Sequence, residues 1–204
     1  MGSIHPLLAS RLIYWAQKFK GHIHFYFSQR IAPVDRARNT IVEQFLQTKV
    51  GVDKQHFTHL FMIDSDTIPE EDALARLLSH DKEIVTGLTP ILNYNREDGD
   101  YEVYDNCFES REVDPATGNV LGTNIVKRHT GLHTVFRCGA SCILIAREVF
   151  DKVGTPAFNF IPNEANTQHV RSEDIDFCDK AREVGITIYA DSDVVCRHQK
   201  EVML

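Results

Sequence analysis

The chain has no apolar run approaching the roughly 18 residues of a membrane span, and no signal-peptide pattern stands ahead of its first amphipathic segment. No transmembrane segment is expected, and a cytoplasmic location is. It also lacks a surplus of positive charge. Lys and Arg number 22 against 29 Asp and Glu, a net charge of −7. That balance excludes a broad nucleic-acid footprint. Paired cysteine spacings are missing too. The five cysteines are Cys107, Cys138, Cys142, Cys178 and Cys196. Their odd number and scattered positions exclude a disulfide framework and a cysteine metal knot. Cys138, Cys142 and Cys178 lie in apolar or helical stretches and read as core thiols. There is no internal repeat and no low-complexity tract.

What remains is an ordinary globular composition, 43% hydrophobic and 25% charged over 204 residues, the size of one domain. Leu7 to Phe19 carries apolar residues at helical spacing. His22 to Phe27 is aromatic and β-branched and predicts a strand, with His22 and His24 as strand-face residues. Val34 to Thr48 predicts a helix with Asp35 as its N-cap. Leu60 to Ile63 predicts a buried strand, and Glu70, Glu71 and Asp72 open a helix. Glu83 to Leu88 predicts another strand. From Asn93 to Thr134 the pattern becomes irregular, with a hairpin around Tyr101, Val103, Tyr104 and Cys107. Such long loops are usually functional. Val135 to Ala146 is an apolar run broken at Cys138 to Ser141. Arg147 to Val153 predicts a short helix, and Thr155 to Val170 a second loop. A helix from Ser172 to Val184 with Gly185 just past its end precedes a last strand, Ile186 to Ala190. Strands alternating with helices predict an α/β fold whose sheet is largely parallel.

Chemistry concentrates where the Leu60 strand stops. Asp64-Ser65-Asp66 places two carboxylates one residue apart at a strand end. If the strand continues, both point to one side and repel unless a cation lies between them. Mg²⁺ or Mn²⁺ suits such oxygen ligands. A solvated turn with two acids is the plainer alternative. An acidic chain that binds phosphate has to neutralise it locally. Arg36, Arg38 and Asn39, at a helix start, offer guanidinium forks and the positive end of a helix dipole.

Five segments in order resemble the nucleotide-diphospho-sugar glycosyltransferases of GT-A fold. They are Arg36-Ala37-Arg38-Asn39; Phe61 to Asp66; Cys138 to Ile145 with Arg147-Glu148-Val149-Phe150; Ser172 to Cys178; and a final His198. The likeness runs from about Pro6 to His198. It is nearest to family 2-like and small viral or bacterial enzymes, with some similarity to mannan-polymerase-type mannosyltransferases. The resemblance implies a mostly parallel mixed sheet flanked by helices in one domain, residues 1–204. Residues 1–92 form its nucleotide-binding half and residues 93–204 its acceptor side. It implies metal-dependent transfer of a hexosyl group from a UDP- or GDP-sugar donor to a carbohydrate or glycoconjugate acceptor.

It also implies roles. Asp64, Asp66 and His198 would hold Mn²⁺ or Mg²⁺. Arg36, Arg38, Asn39, Asp64 and Ser65 would contact the nucleotide sugar. Gly139, Ala140 and Glu173 would line the sugar or acceptor side, the two small residues allowing close backbone approach. Asp174 would be the general base, or an acceptor-binding residue in a retaining reaction. Plainer readings stand beside these: His198 as a tail residue, Asp174 as a helix cap, and Asp191 and Asp193 as turn carboxylates near the site.

Two other functions remain open. Asp64-Ser65-Asp66-Thr67, with Thr86 after a later strand, also fits the nucleophile motif of a haloacid-dehalogenase-type phosphatase with Asp64 as nucleophile, but about 60 residues of α/β pattern precede it and, Lys200 and Asp191 to Asp193 aside, no lysine stands well placed before a third acidic motif. A nucleotide-sugar-binding module without catalysis would keep only the pocket. One feature is absent from the GT-A pattern: the chain enters its first helix almost at once, so the first strand is short or missing. That predicts an incomplete nucleobase pocket and an exposed strand edge open to self-association.

Overall fold

Helix α1 (Pro6–Lys18) starts where a proline can start one, at its first turn, and the His5 imidazole accepts the Leu7 N–H at 3.1 Å. The structure, a computed structural model, describes residues 4–28, 31–50, 54–94, 99, 101–113, 120–162 and 170–199. Pro115, Gly118 and Lys200 lie outside the described residues, as does the middle of the second predicted loop. Helix α2 (Val34–Gln47) follows Pro33, which takes the N-cap position. Asp35 is therefore two positions further in than expected, at the second helical residue, and accepts from the Arg36 N–H.

Five strands make the central sheet: β1 (His59–Ile63), β2 (Ile84–Leu88), β7 (Leu132–Val135), β8 (Cys142–Ala146) and β9 (Ile188–Val195). Their order is β7-β9-β2-β8-β1. β1, β2 and β9 run in one direction. Antiparallel β8 lies between β1 and β2, and antiparallel β7 forms an edge, so the sheet is mixed and only β2 and β9 are parallel neighbours.

Side chains alternate across these strands and fill a core on each face. Leu60, Met62, Ile84, Ile143, Ile145 and Ile188 pack under α2, α4 (Arg147–Val153) and α5 (Glu173–Glu183). Val85, Leu144 and Val194 face α1 and α3 (Ala73–Ser79). Trp15 of α1 is buried there, 5.6 Å from the Phe61 ring, and its indole N–H donates to the Glu71 carbonyl. Burying an aromatic ring stabilises by roughly 1.5–3 kcal/mol, which anchors α1 to the sheet. All five cysteines are free and buried, and the Cys138 and Cys178 sulfurs are 3.8 Å apart.

Two regions differ from expectation. In the stretch predicted to be largely irregular, the hairpin expected around Tyr101 to Cys107 forms with Pro90–Tyr94 (β3) as its first arm and Tyr101–Asp105 (β4) as its second. A small sheet follows, of β5 (Cys107–Val113), β6 (Val120–Ile125) and Arg137–Cys138. Asp105 anchors the hairpin base through two bonds from the Arg128 guanidinium, at 2.6 and 2.8 Å. Conversely, His22 to Phe27 is extended but joins no sheet. Its local propensity is that of a strand, but no neighbouring edge lies within hydrogen-bonding reach. No strand precedes α1 among the described residues. Among them, too, no helix is long and apolar enough to cross a membrane.

Helix α5 is fixed by charge as well as by Phe177. Asp179 is 8% exposed and accepts bonds from Arg137, Arg171 and Arg182. Burial pushes its carboxyl up, but the hydrogen bonds from Arg137 and Arg182 outweigh that and hold it below the ordinary aspartate range. A depressed carboxylate adds stability above its unfolded pKa of about 3.9, and that gain is lost as pH falls through the lower folded value. Asp179→Asn is expected to cost about 3 kcal/mol near neutral pH, the scale of a broken buried pair. The difference from wild type should shrink below about pH 4. Urea titrations across that range measure it, and a pH-independent difference would contradict the ionic role.

Candidate active site

At the end of β1 the chain turns sharply. The Asp64 N–H bonds to the Ser141 carbonyl, and the Thr67 N–H bonds back to the Asp64 carbonyl at 3.0 Å. Asp64 and Asp66 therefore lie in a turn, where the strand's alternation no longer holds. Their side chains meet different partners instead of sharing one side.

Asp64 faces α2. The Arg38 guanidinium donates to both Asp64 oxygens at 3.3 Å, and its other end makes a closer ion pair with Glu173. Arg38 is 8% exposed and Glu173 5%. Burial raises the Glu173 carboxyl above the ordinary glutamate range; Arg38 opposes this, and Asp174 and Asp64 add to the rise. The Phe158 ring lies 5.8 Å from the guanidinium.

Asp66 faces the last ladder of the fold, in which Arg197–His198 pairs with Thr67–Ile68. The His198 Nε2 is 3.2 Å from an Asp66 oxygen, and Nδ1 lies 2.7 Å from the Pro90 carbonyl. A carbonyl only accepts, so Nδ1 carries the proton. Nε2 is then the nitrogen that faces Asp66, and the one a metal ion held beside that carboxylate would use. His198 is thus held in the fold at the site. Among the described residues no group of three or more His, Cys, Asp or Glu is gathered closely enough to hold a metal ion.

The remaining expected residues divide. Asp174, half-buried in the first turn of α5, accepts from the Ser172 hydroxyl and the Ile175 N–H through Oδ1. Among the described residues nothing engages Oδ2. Arg36 and Ser65 are exposed, and the Ser65 carbonyl accepts the His5 N–H. Asn39, expected at a phosphate, spends both ends of its amide on the Phe158 backbone, at 2.6 and 3.1 Å. Gly139 and Ala140 were expected to leave room for a sugar, but protein fills that space. A Cβ on Gly139 would lie 2.2 Å from the Asn106 amide nitrogen, and Ala140 is buried in the core. Asn106 accepts the Thr89 N–H and donates to the Ser141 hydroxyl. Asp191 and Asp193 lie in β9, not in a turn, and pair with His80, just past α3, and with Arg76 of α3.

Sequence reasoning missed two contributors. The Pro90 carbonyl orients His198, and Asn106 braces the Gly139–Ser141 turn behind Asp64. A backbone carbonyl leaves no sequence signal, and Asn106 sat in the stretch read as loop.

No family model matches the sequence, and no curated protein does. Solved structures do match in fold. A197 from STIV shares 19% identity over 98% of this chain and 82% of that one, at a TM-score of 0.56. GalNAc-T7, solved with UDP, GalNAc and Mn²⁺, shares 14% identity at a TM-score of 0.53. That match covers 97% of this chain, which spans about 36% of the GalNAc-T7 chain. At such identities the likeness shows the fold alone: a mixed, helix-flanked sheet of the GT-A kind.

Proposed function

We propose that this protein transfers a hexosyl group from a nucleoside-diphosphate sugar, UDP- or GDP-linked, to a hydroxyl of a carbohydrate or glycoconjugate acceptor. One observation carries the reading. At the turn that ends β1, the Asp64–Arg38–Glu173 bridge stands beside the Asp66–His198 pair. The GT-A-like fold supports it, as does a fold neighbour solved with UDP, GalNAc and Mn²⁺.

The residues present fit a divalent cation. A carboxylate and an oriented imidazole are suitable donors for Mn²⁺ and acceptable for Mg²⁺. Asp66 and His198 would hold it, with Asp64 next to them. Such an ion, when bound, neutralises the charge that develops on the departing diphosphate. The chain's own groups do the rest. Arg38, expected to contact the nucleotide sugar, is held at both ends by Asp64 and Glu173 and acts by fixing the Asp64 turn beside the diphosphate. Asp174, through Oδ2, takes the acceptor hydroxyl's proton if configuration inverts, or positions the acceptor if it is retained. Residues 1–92 supply the donor side and residues 93–204 the acceptor side.

The phosphatase reading loses its second motif. The Thr86 hydroxyl is fully buried and donates to the Cys142 carbonyl at 2.8 Å.

Two variants test the proposal. Wild-type protein should bind UDP or GDP at least tenfold more tightly in Mn²⁺ than in EDTA by calorimetry, and Asp66→Ala should erase that difference. Equal affinity in both buffers for the wild type removes the metal role of the pair. Asp174→Asn should keep donor binding while transfer falls by roughly 10²-fold, the scale of a positioned base. Single-turnover transfer assays read this, and undiminished transfer would take Asp174 out of the mechanism.

A further inference from the structure

Asp179 gathers more positive charge than it can cancel. Its carboxylate accepts from Arg137 at 3.0 and 3.2 Å, from Arg171 at 3.3 Å and from Arg182 at 2.5 Å. Arg171 also donates to Asp176 at 3.0 Å, and Lys180 pairs with Asp176 at 2.7 Å. Four cations, Arg137, Arg171, Lys180 and Arg182, thus share two carboxylates, which leaves a charge of +2 in this network. The chain as a whole carries −7. One guanidinium is enough to neutralise Asp179, and Arg137 alone reaches both of its oxygens. The other two bring repulsion between like charges, which a second anion would relieve.

The guanidiniums are held in place and keep donors to spare. The Cζ of Arg182 lies 3.8 Å from the centroid of the Phe136 ring, and that of Arg137 lies 5.0 Å from it. Contact with a ring face uses the charge of a guanidinium and leaves its in-plane N–H groups for other partners. Among the described residues Arg137 Nη1, Arg171 Nε, and Nε and Nη1 of Arg182 have no hydrogen-bond partner. The Nε of Arg182 is also sealed from water. A buried donor without an acceptor is costly and rare. All three guanidiniums touch one carboxylate, so their unused donors stand close together.

We infer that this cluster on α5 and the neighbouring Arg137–Cys138 strand is a binding site for a phosphoryl group. A carboxylate ligand would cancel only one of the two surplus charges. A phosphate monoester or phosphate ion carries close to two near neutral pH and offers three acceptor oxygens. Those oxygens suit donors that come from separate guanidiniums, the side chain best matched to phosphate. Asp179 does not repel the ligand strongly, because both its oxygens are already taken up by guanidinium N–H groups. The site uses none of the groups assigned to sugar transfer and stands independently of that reading.

The test uses the whole protein in phosphate-free buffer of constant ionic strength at about pH 7.5, above the second phosphate ionisation near pH 6. Inorganic phosphate and glucose 6-phosphate are the probes. At about ten times its Kd, a probe should raise Tm by roughly 4 °C. By calorimetry, Arg171→Gln and Arg182→Gln should each weaken binding at least tenfold. Arg11→Gln, on α1 across the sheet, should leave it unchanged. In the wild type, the NMR signal of the Arg182 Nε–H should shift on adding phosphate. That of Arg11, whose Nε–H bonds to the Pro69 carbonyl, should stay put. If Arg182→Gln fails to fold, the exposed Arg171 position and the wild-type NMR signal still decide. Glucose 6-phosphate binding at least as tightly as inorganic phosphate identifies a monoester as the ligand, and binding of inorganic phosphate alone identifies the free ion; both support the site. No binding of either probe, undiminished affinity in Arg171→Gln, or an unmoved Arg182 signal would overturn it.

Discussion

A buried guanidinium that cannot give up its proton sets the terms for this site. Arg38 is nearly sealed from water, and an uncompensated charge there would cost several kcal/mol. Glu173 and Asp64 neutralise it from opposite ends. The triad ties together α2, the first residue of α5 and the turn after β1, which otherwise share little contact. The next residue, Asn39, clips the Phe158 backbone, and the Phe158 ring lies beside the same guanidinium. Displacing Arg38 would therefore loosen the turn after β1 and the start of α5 together. That is how a residue on one half of the domain bears on Asp174 on the other.

The sheet explains why these groups converge. Three strands point the same way, so β1, β2 and β9 deliver their C-terminal ends to one edge. The antiparallel β8 between β1 and β2 brings the Gly139–Ser141 turn to that same edge, where the Ser141 carbonyl takes the Asp64 N–H. Asn106 then connects this turn to the base of the β3–β4 hairpin through Thr89. Pro90, at the start of that hairpin, aims His198. The hairpin is thus connected to both the Gly139–Ser141 turn and His198 through Asn106 and the Pro90 carbonyl.

Much of this was legible in the sequence, and the rest was hidden for definable reasons. The helices and the strands β1, β2 and β8 were visible because burial imposes periodicity or a continuous apolar run, and each of these elements is buried on at least one face. The hairpin was legible only around Tyr101 to Cys107; its first arm, Pro90–Tyr94, and the small sheet were not, since exposed strands carry no such burial pattern. His22 to Phe27 misled in the opposite sense: its composition suits a strand, but a strand also needs a partner edge. Asp64, Asp66, Arg38, Glu173 and His198 were named from the sequence as one site. Their pairing was not, because Arg38 and Glu173 are 135 positions apart and the tautomer of His198 depends on a carbonyl. Gly139, Ala140 and Asn39 take part in packing, since small size and amide chemistry serve packing as readily as ligand binding.

The near-contact between Gly139 and Asn106 has a meaning for descent. A Cβ at position 139 would fall on the Asn106 amide, while Asn106 itself is held by Thr89 and Ser141. Neither position is free to drift by itself. Among homologues, a larger residue at 139 should occur only beside a shortened one at 106, and Asn at 106 should travel with Gly at 139.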